Sequence, residues 1–128
     1  MKKKYSFNKV VSKTDIDALN HVNNLIYLEW VLNAAEKHWE ILSSNTVNEK
    51  FVWVVLRHEI DYLAAALLND EVTITTWIGD SLGVKSDRFV EIKKGNKLIA
   101  KAKTTWCLLD KRTMRAVRIP SDVLNLLK

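Results

Sequence analysis

Between Asp15 and Trp30 the chain reads DIDALNHVNNLIYLEW, in which Asp15, Asp17, Asn20, His21, Asn23 and Asn24 run straight into an unusually apolar segment. An ionised carboxylate at the mouth of a buried helix lies where backbone N–H groups and the helix dipole favour a developing negative charge. Such a corner suits acyl transfer.

The elements that must position this corner are legible from periodicity. Over residues 24 to 42, Glu29, Asn33, Glu36, Lys37 and Glu40 fall on one narrow polar stripe at 100° per residue. Almost everything else there is apolar and covers well over half the circumference, more than an ordinary surface helix buries, so something must wrap around it. Asn20, Asn23 or Asn24 can supply the N-cap, and Ser43-Ser44-Asn45 ends the run. The wrapping material follows. Phe51 to Leu63, Glu71 to Gly79, Val84 to Lys94 and Lys97 to Asp110 show the alternation or β-branched enrichment of strands. Gly95-Asn96 is a tight hairpin signal, Tyr5 to Val11 can add a strand before the helix, and Ser121 to Leu127 reads as a short closing helix after Pro120. The expectation is α+β: a curved antiparallel sheet of about five strands around one long central helix.

At 128 residues the chain is long enough to bury one core, so a single domain over 1–128 is expected. Residues 2 to 4 are lysines, but Tyr5 to Lys13 alternates polar and apolar residues and gives no signal-peptide core. No apolar run is long enough for a membrane span, and the single Cys107 excludes an internal disulfide. A cytoplasmic protein with no membrane partner is the expectation. The net charge of +5 is uneven: residues 85 to 118 carry eleven Lys or Arg against three acids, the rest nine against twelve. That basic third either holds a phosphorylated partner or is the solvated outer face of strands.

The DIDALNHVNNLIYLEW segment resembles the signature of hot-dog-fold acyl thioesterases of the 4-hydroxybenzoyl-CoA and fatty acyl-ACP thioesterase kind. The resemblance continues through LRHEIDYLAAALLNDEVTITTWI and IAKAKTTWCLLDKRTMRAVRIP, covering nearly the whole chain. It implies a hot-dog fold and hydrolysis of an acyl-CoA or acyl-ACP thioester by a homodimer or dimer of dimers with sites at the subunit interface. No metal or separate cofactor is implied, since CoA or ACP enters with the substrate. The second Asp of the D-x-D pair, Asp17, is implied to be the catalytic carboxylate. An aspartate with the ordinary pKa of about 3.9 is ionised at neutral pH and can act as nucleophile or as base on water. A thiol of pKa about 8.5 leaves readily as thiolate, so no strong general acid is required.

His21 matches the histidine of the HVNN motif and is expected to orient a water or the carboxylate. The Asn that the acyl-ACP branch carries two residues before it is Leu19 here. Asn24 is expected to fix the loop, and Glu59 is a candidate acid or base supplied by a partner subunit, or an exposed residue paired with Arg57. Backbone N–H groups near Trp53 and Val54 are candidate oxyanion donors. Lys85, Arg88, Lys111 and Arg112 are candidates for CoA phosphates at the rim of the sheet. His38 and Cys107 read as core residues, as do most of the five tryptophans.

Two other classes compete. A hot-dog hydratase or dehydratase needs an acid/base pair over Cα and Cβ, and its Asp-x-Asn-Pro-x-His and His-x-x-x-Gly-x-Pro patterns are absent. A non-catalytic acyl-binding or nucleic-acid-binding module would use the basic strands, but no aromatic-and-basic RNA-binding signature accompanies them. Asp15 and Asp17 would also repel phosphates at the mouth, so no nucleic-acid partner is expected.

Overall fold

A computed structural model describes residues 3–128. Strand β1 (Lys4–Val10) leads through a 3-10 turn (Lys13–Asp15) into the long helix α1 (Asn24–Leu42). A short helix α2 (Asn45–Lys50) follows, then β2 (Phe51–Tyr62), β3 (Glu71–Leu82), β4 (Lys85–Lys94), β5 (Lys97–Asp110) and α3 (Ser121–Leu126). All five strands form one antiparallel sheet in the order β1-β3-β4-β5-β2, which leaves β1 and β2 at the edges. This is the expected α+β hot-dog architecture. Among the described residues no helix is long and apolar enough to cross a membrane.

Helix α1 packs over β3, β1 and β4. Tyr27, Trp30, Val31 and Ala34 meet Val72, Ile74, Val90, Ile92, Ala100 and Ala102 in the main core. Alternation along the strands puts these residues on one sheet face, and burying each large one stabilises the fold by roughly 1.5–3 kcal/mol. Further along the helix the inner face turns polar: His38, Thr76, Ser86, Arg88 and Thr104 are all buried. There α2 and α3 close the end of the sheet with a second core of Val47, Leu108, Ile119 and Val123.

Strand boundaries differ from the sequence reading in an instructive way. The strand expected over Glu71 to Gly79 in fact continues to Leu82 through a register shift between Ile78 and Ser81. A bulge of this kind bends and twists the strand. Gly79 is needed there because a Cβ would lie 2.5 Å from Cε2 of Phe89, whose ring stacks on Trp77. Reversal of the chain falls instead at Gly83, with φ of +64°. Gly95 turns β4 into β5 as expected, with φ of +59°. Helix α2, with Ser44 Oγ accepting from Val47 N at 3.3 Å, was hidden in a stretch that reads only as the end of α1.

Two outcomes follow from this packing. Gly79→Ala should lower stability by about 1–3 kcal/mol through overpacking, read as a urea midpoint shift, and Phe89→Leu should restore part of it; equal midpoints for wild type and Gly79→Ala would contradict the contact. His38 is held at a pKa of about 4, below 6.5, by burial and then by the Arg88 and Lys3 charges. It is therefore neutral in the fold and protonates more readily in the unfolded chain. Its contribution is intact above pH 6.5 and is lost as pH falls toward 4, by at most about 1.4 kcal/mol per unit. Urea midpoints at pH 7 and pH 5 should fall more steeply for wild type than for His38→Gln; parallel declines would contradict it.

Candidate functional site

The loop that carries Asp17 is built from short-range hydrogen bonds. Asp17 N–H donates to His21 O at 3.1 Å, Asn20 N–H donates to Asp17 O at 3.0 Å, and Ile16 bridges Val22. Asn20 has φ of +63°, a left-handed conformation that Asn tolerates better than most residues. The loop is pinned from below by two bonds, Val22 N–H to Ala66 O and Ala66 N–H to the Tyr27 hydroxyl, both 3.0 Å. Tyr27 is a core residue, so packing of α1 fixes the loop.

The two aspartates have separate roles. Asp15 is buried, and its Oδ2 accepts from Ser12 N at 2.9 Å and Ser12 Oγ at 3.1 Å, which makes it a structural cap. Asp17 is half-buried; its Oδ1 accepts from Leu19 N at 2.9 Å, and Oδ2 has no partner among the described residues. One carboxylate oxygen is thus anchored and the other is available. His21 makes only a long contact, Nδ1 to Val22 O at 3.4 Å, and does not bond the Asp17 carboxylate. Asn23 is the N-cap of α1, accepting from Leu25 N at 2.8 Å, while Asn24 opens the helix and offers its carbonyl to the Tyr62 hydroxyl at 3.5 Å. The Asn24 N–H makes no hydrogen bond among the described residues.

A separate cavity of about 300 Å³ opens at the other end of α1. Its walls are aromatic: Trp39, Phe51, Trp53 and Trp106, with Trp39 edge-on to Trp53 at 5.8 Å. From Asn24 to Trp39 the helix rises about 22 Å, so within one chain the Asp17 loop and this cavity stand well apart. Of the residues singled out from sequence, Trp53, Arg88 and Lys111 line the cavity, whereas Asp17, His21, Asn24, Val54, Glu59, Lys85 and Arg112 do not.

Several sequence expectations need correcting. Arg88 is not at the rim: it occupies an inward position of β4 and is only 6% exposed. Its Nη1 donates to His38 Nδ1 at 2.8 Å and to Thr76 Oγ1 at 3.1 Å. Arginine is only a donor, so His38 must accept through Nδ1 and carry its proton on Nε2. Burial pushes the guanidinium down to about 10, which leaves it cationic at neutral pH. Glu59 follows the second of its two readings: it is exposed, beside Arg57 at 3.4 Å and in register with Lys103. Its strand neighbours His58 and Ile60 face inward, so Glu59 faces the outer side of the sheet. Of the tryptophans, Trp30 is core; Trp39, Trp53 and Trp106 are cavity wall; Trp77 stacks on Phe89 with the Lys4 ammonium over its ring. Lys85 and Arg112 are exposed. Cys107 and His38 are buried, as expected.

One fully buried polar atom in this region is left over. Trp106 Nε1 is buried and has no acceptor among the described residues. An orphaned buried donor costs about 1–3 kcal/mol.

The sequence profile of the thioesterase-like superfamily matches residues 11–127. The long-chain acyl-CoA thioesterase FadM of Escherichia coli (strain K12) is 25% identical over 118 residues, 84% of this chain and 85% of that protein. The chloroplastic acyl-[acyl-carrier-protein] hydrolase FATB3 of Cuphea viscosissima is 24% identical over 74 residues, 56% of this chain but only 18% of that protein. In fold, the chain is similar to Slr0204, a 1,4-dihydroxy-2-naphthoyl-CoA thioesterase from Synechocystis. The TM-score is 0.84 at 17% identity, covering 98% of this chain and 96% of that one. With its profile matched over nearly its full length, the chain belongs to the thioesterase-like superfamily.

Proposed function

We propose that this chain hydrolyses an acyl thioester, carried on CoA or on ACP, to a free acid and a thiol, and does so as a homodimer. Asp17 of one protomer acts on a thioester whose acyl group enters the aromatic cavity of the other. The observation that carries this reading is the Asp17 carboxylate, anchored through one oxygen with the other uncommitted, on the loop that leads into the long helix α1, whose Asn24 N–H is uncapped. Water adds to the carbonyl carbon with Asp17 as base, or Asp17 adds first and water cleaves the resulting anhydride. In either route the C–S bond breaks and the sulfur leaves as thiolate. The Asn24 N–H and the α1 dipole are suited to hold the oxyanion.

Assembly as a dimer connects the two distant halves. Strand β2 is an edge strand of 12 residues, long enough to template pairing with a second copy. Antiparallel pairing about a two-fold axis at the middle of β2 sets Tyr62 of one protomer opposite Phe51 to Trp53 of the other. The Tyr62–Asn24 hydrogen bond ties the mouth of α1 to that end of β2. The Asp17 loop of one copy is thereby brought to the cavity entrance of its partner. Leu19, Leu25, Leu56 and Leu63 are all more than half exposed in the single chain and lie on these same segments, which supports a covered surface there.

Thiol release from a panel of acyl-CoA thioesters tests the chemistry. Asp17→Asn, which keeps an oxygen for Leu19 N, should reduce the rate at least about a hundredfold without changing the unfolding midpoint; an unchanged rate would remove Asp17 from the reaction. Leu56→Glu places two like charges near the two-fold axis, so it should shift the protein to monomer in sedimentation and abolish thiol release together. Full activity in a proven monomer would contradict the shared site.

A further inference from the structure

The aromatic cavity holds a feature that hydrolysis of a plain fatty acyl group does not need. Arg88, more than nine-tenths buried, is one of its lining residues and has no carboxylate partner among the described residues. A guanidinium carries five N–H donors. Nη1 serves His38 and Thr76, both uncharged, and the donors on Nε and Nη2 have no acceptor among the described residues. Trp106, also lining the cavity, adds a fully buried donor, Nε1, that has no partner among the described residues. Buried cations are ordinarily paired, because desolvation without a counter-charge is costly. The other charged groups on the cavity, Glu36 and Lys111, are exposed, and Lys111 Nζ donates to Asn48 O.

We propose that the cavity selects an acyl group whose far end carries a carboxylate, which accepts from Arg88 and the Trp106 indole N–H. The substrate class is then the monothioester of a dicarboxylic acid, and this inference rests on the thioesterase reading above. The flat walls of Trp39, Phe51, Trp53 and Trp106 enclose the carbon skeleton. Arg88 supplies the fork geometry that matches a carboxylate. The His38 contact is the device that holds it: the neutral imidazole takes Nη1 as a donor, which leaves Nε and Nη2 for a ligand.

Thiol release is measured for pairs of CoA thioesters of equal, stepwise increasing chain length, one member ending in methyl and the other in carboxylate. Wild type should favour the carboxylate member by about tenfold or more in kcat/KM at the fitting length, since a site built to bond a group rejects the analogue lacking it. Arg88→Met should abolish that preference, and Arg88→Lys should weaken it. Because the readout is a ratio within one preparation, loss of folded enzyme cancels. No preference in wild type, or a preference that survives Arg88→Met, would overturn the proposal while leaving thioester hydrolysis intact. If no thioester of either kind is cleaved, the thioesterase reading itself fails. The cavity is then judged by quenching of its tryptophans: a dicarboxylate bound more tightly than the monocarboxylate of equal length, with the difference lost in Arg88→Met, upholds the recognition, and equal binding overturns it.

Discussion

Helix α1 presents an apolar arc too wide for one flat surface to cover. The core formed by Tyr27, Trp30, Val31 and Ala34 requires strands that bend around it, and the sheet supplies that curvature through bulges in β2 and β3. Everything functional hangs from this packing. The Tyr27 hydroxyl anchors the segment beneath the Asp17 loop, while His38 on the same helix holds Arg88 at the base of the cavity. One buried helix thus fixes a carboxylate near its start and a guanidinium near its end.

The two ends differ in their electrostatics. At the N-terminus stand the helix dipole and the uncapped Asn24 N–H, a setting that suits negative charge. Toward the C-terminus, a buried cation and an unpartnered indole N–H stand among aromatic rings. A single protomer cannot bring one small substrate to both, since about 22 Å of helix separates them. The proposed pairing across the open β2 edge would resolve that separation and cover the exposed leucines on the facing segments in the same step.

Much of the fold was legible because its signals are local. The stripe of polar residues on α1, the alternation in the strands and the Gly95-Asn96 hairpin each reduce to spacing along the chain. The motif around Asp17 singles it out, and its carboxylate is half-buried with one oxygen unpartnered among the described residues. Arg88 was misjudged because a basic residue in a basic segment reads as surface; only its inward register on β4, between buried Ser86 and Val90, reveals otherwise. The cavity was missed for a related reason. Trp39, Trp53 and Trp106 lie far apart in sequence, and whether such rings fill a core or line a space depends on how α2 and α3 close the sheet. Glu59 faces the outer side because the alternation of β2 gives the inner face to His58 and Ile60.

The central claim is that a carboxylate from one copy meets a thioester whose acyl end lies in the other. A crystal structure of the protein with an acyl-CoA analogue whose sulfur is replaced by methylene tests it most directly. The expected complex has two chains paired through β2, the ketone carbon within reach of one protomer's Asp17 and its oxygen on the Asn24 N–H, with the acyl end between the tryptophans of the other. An analogue bound with its carbonyl remote from Asp17, or held wholly within one chain, would contradict it.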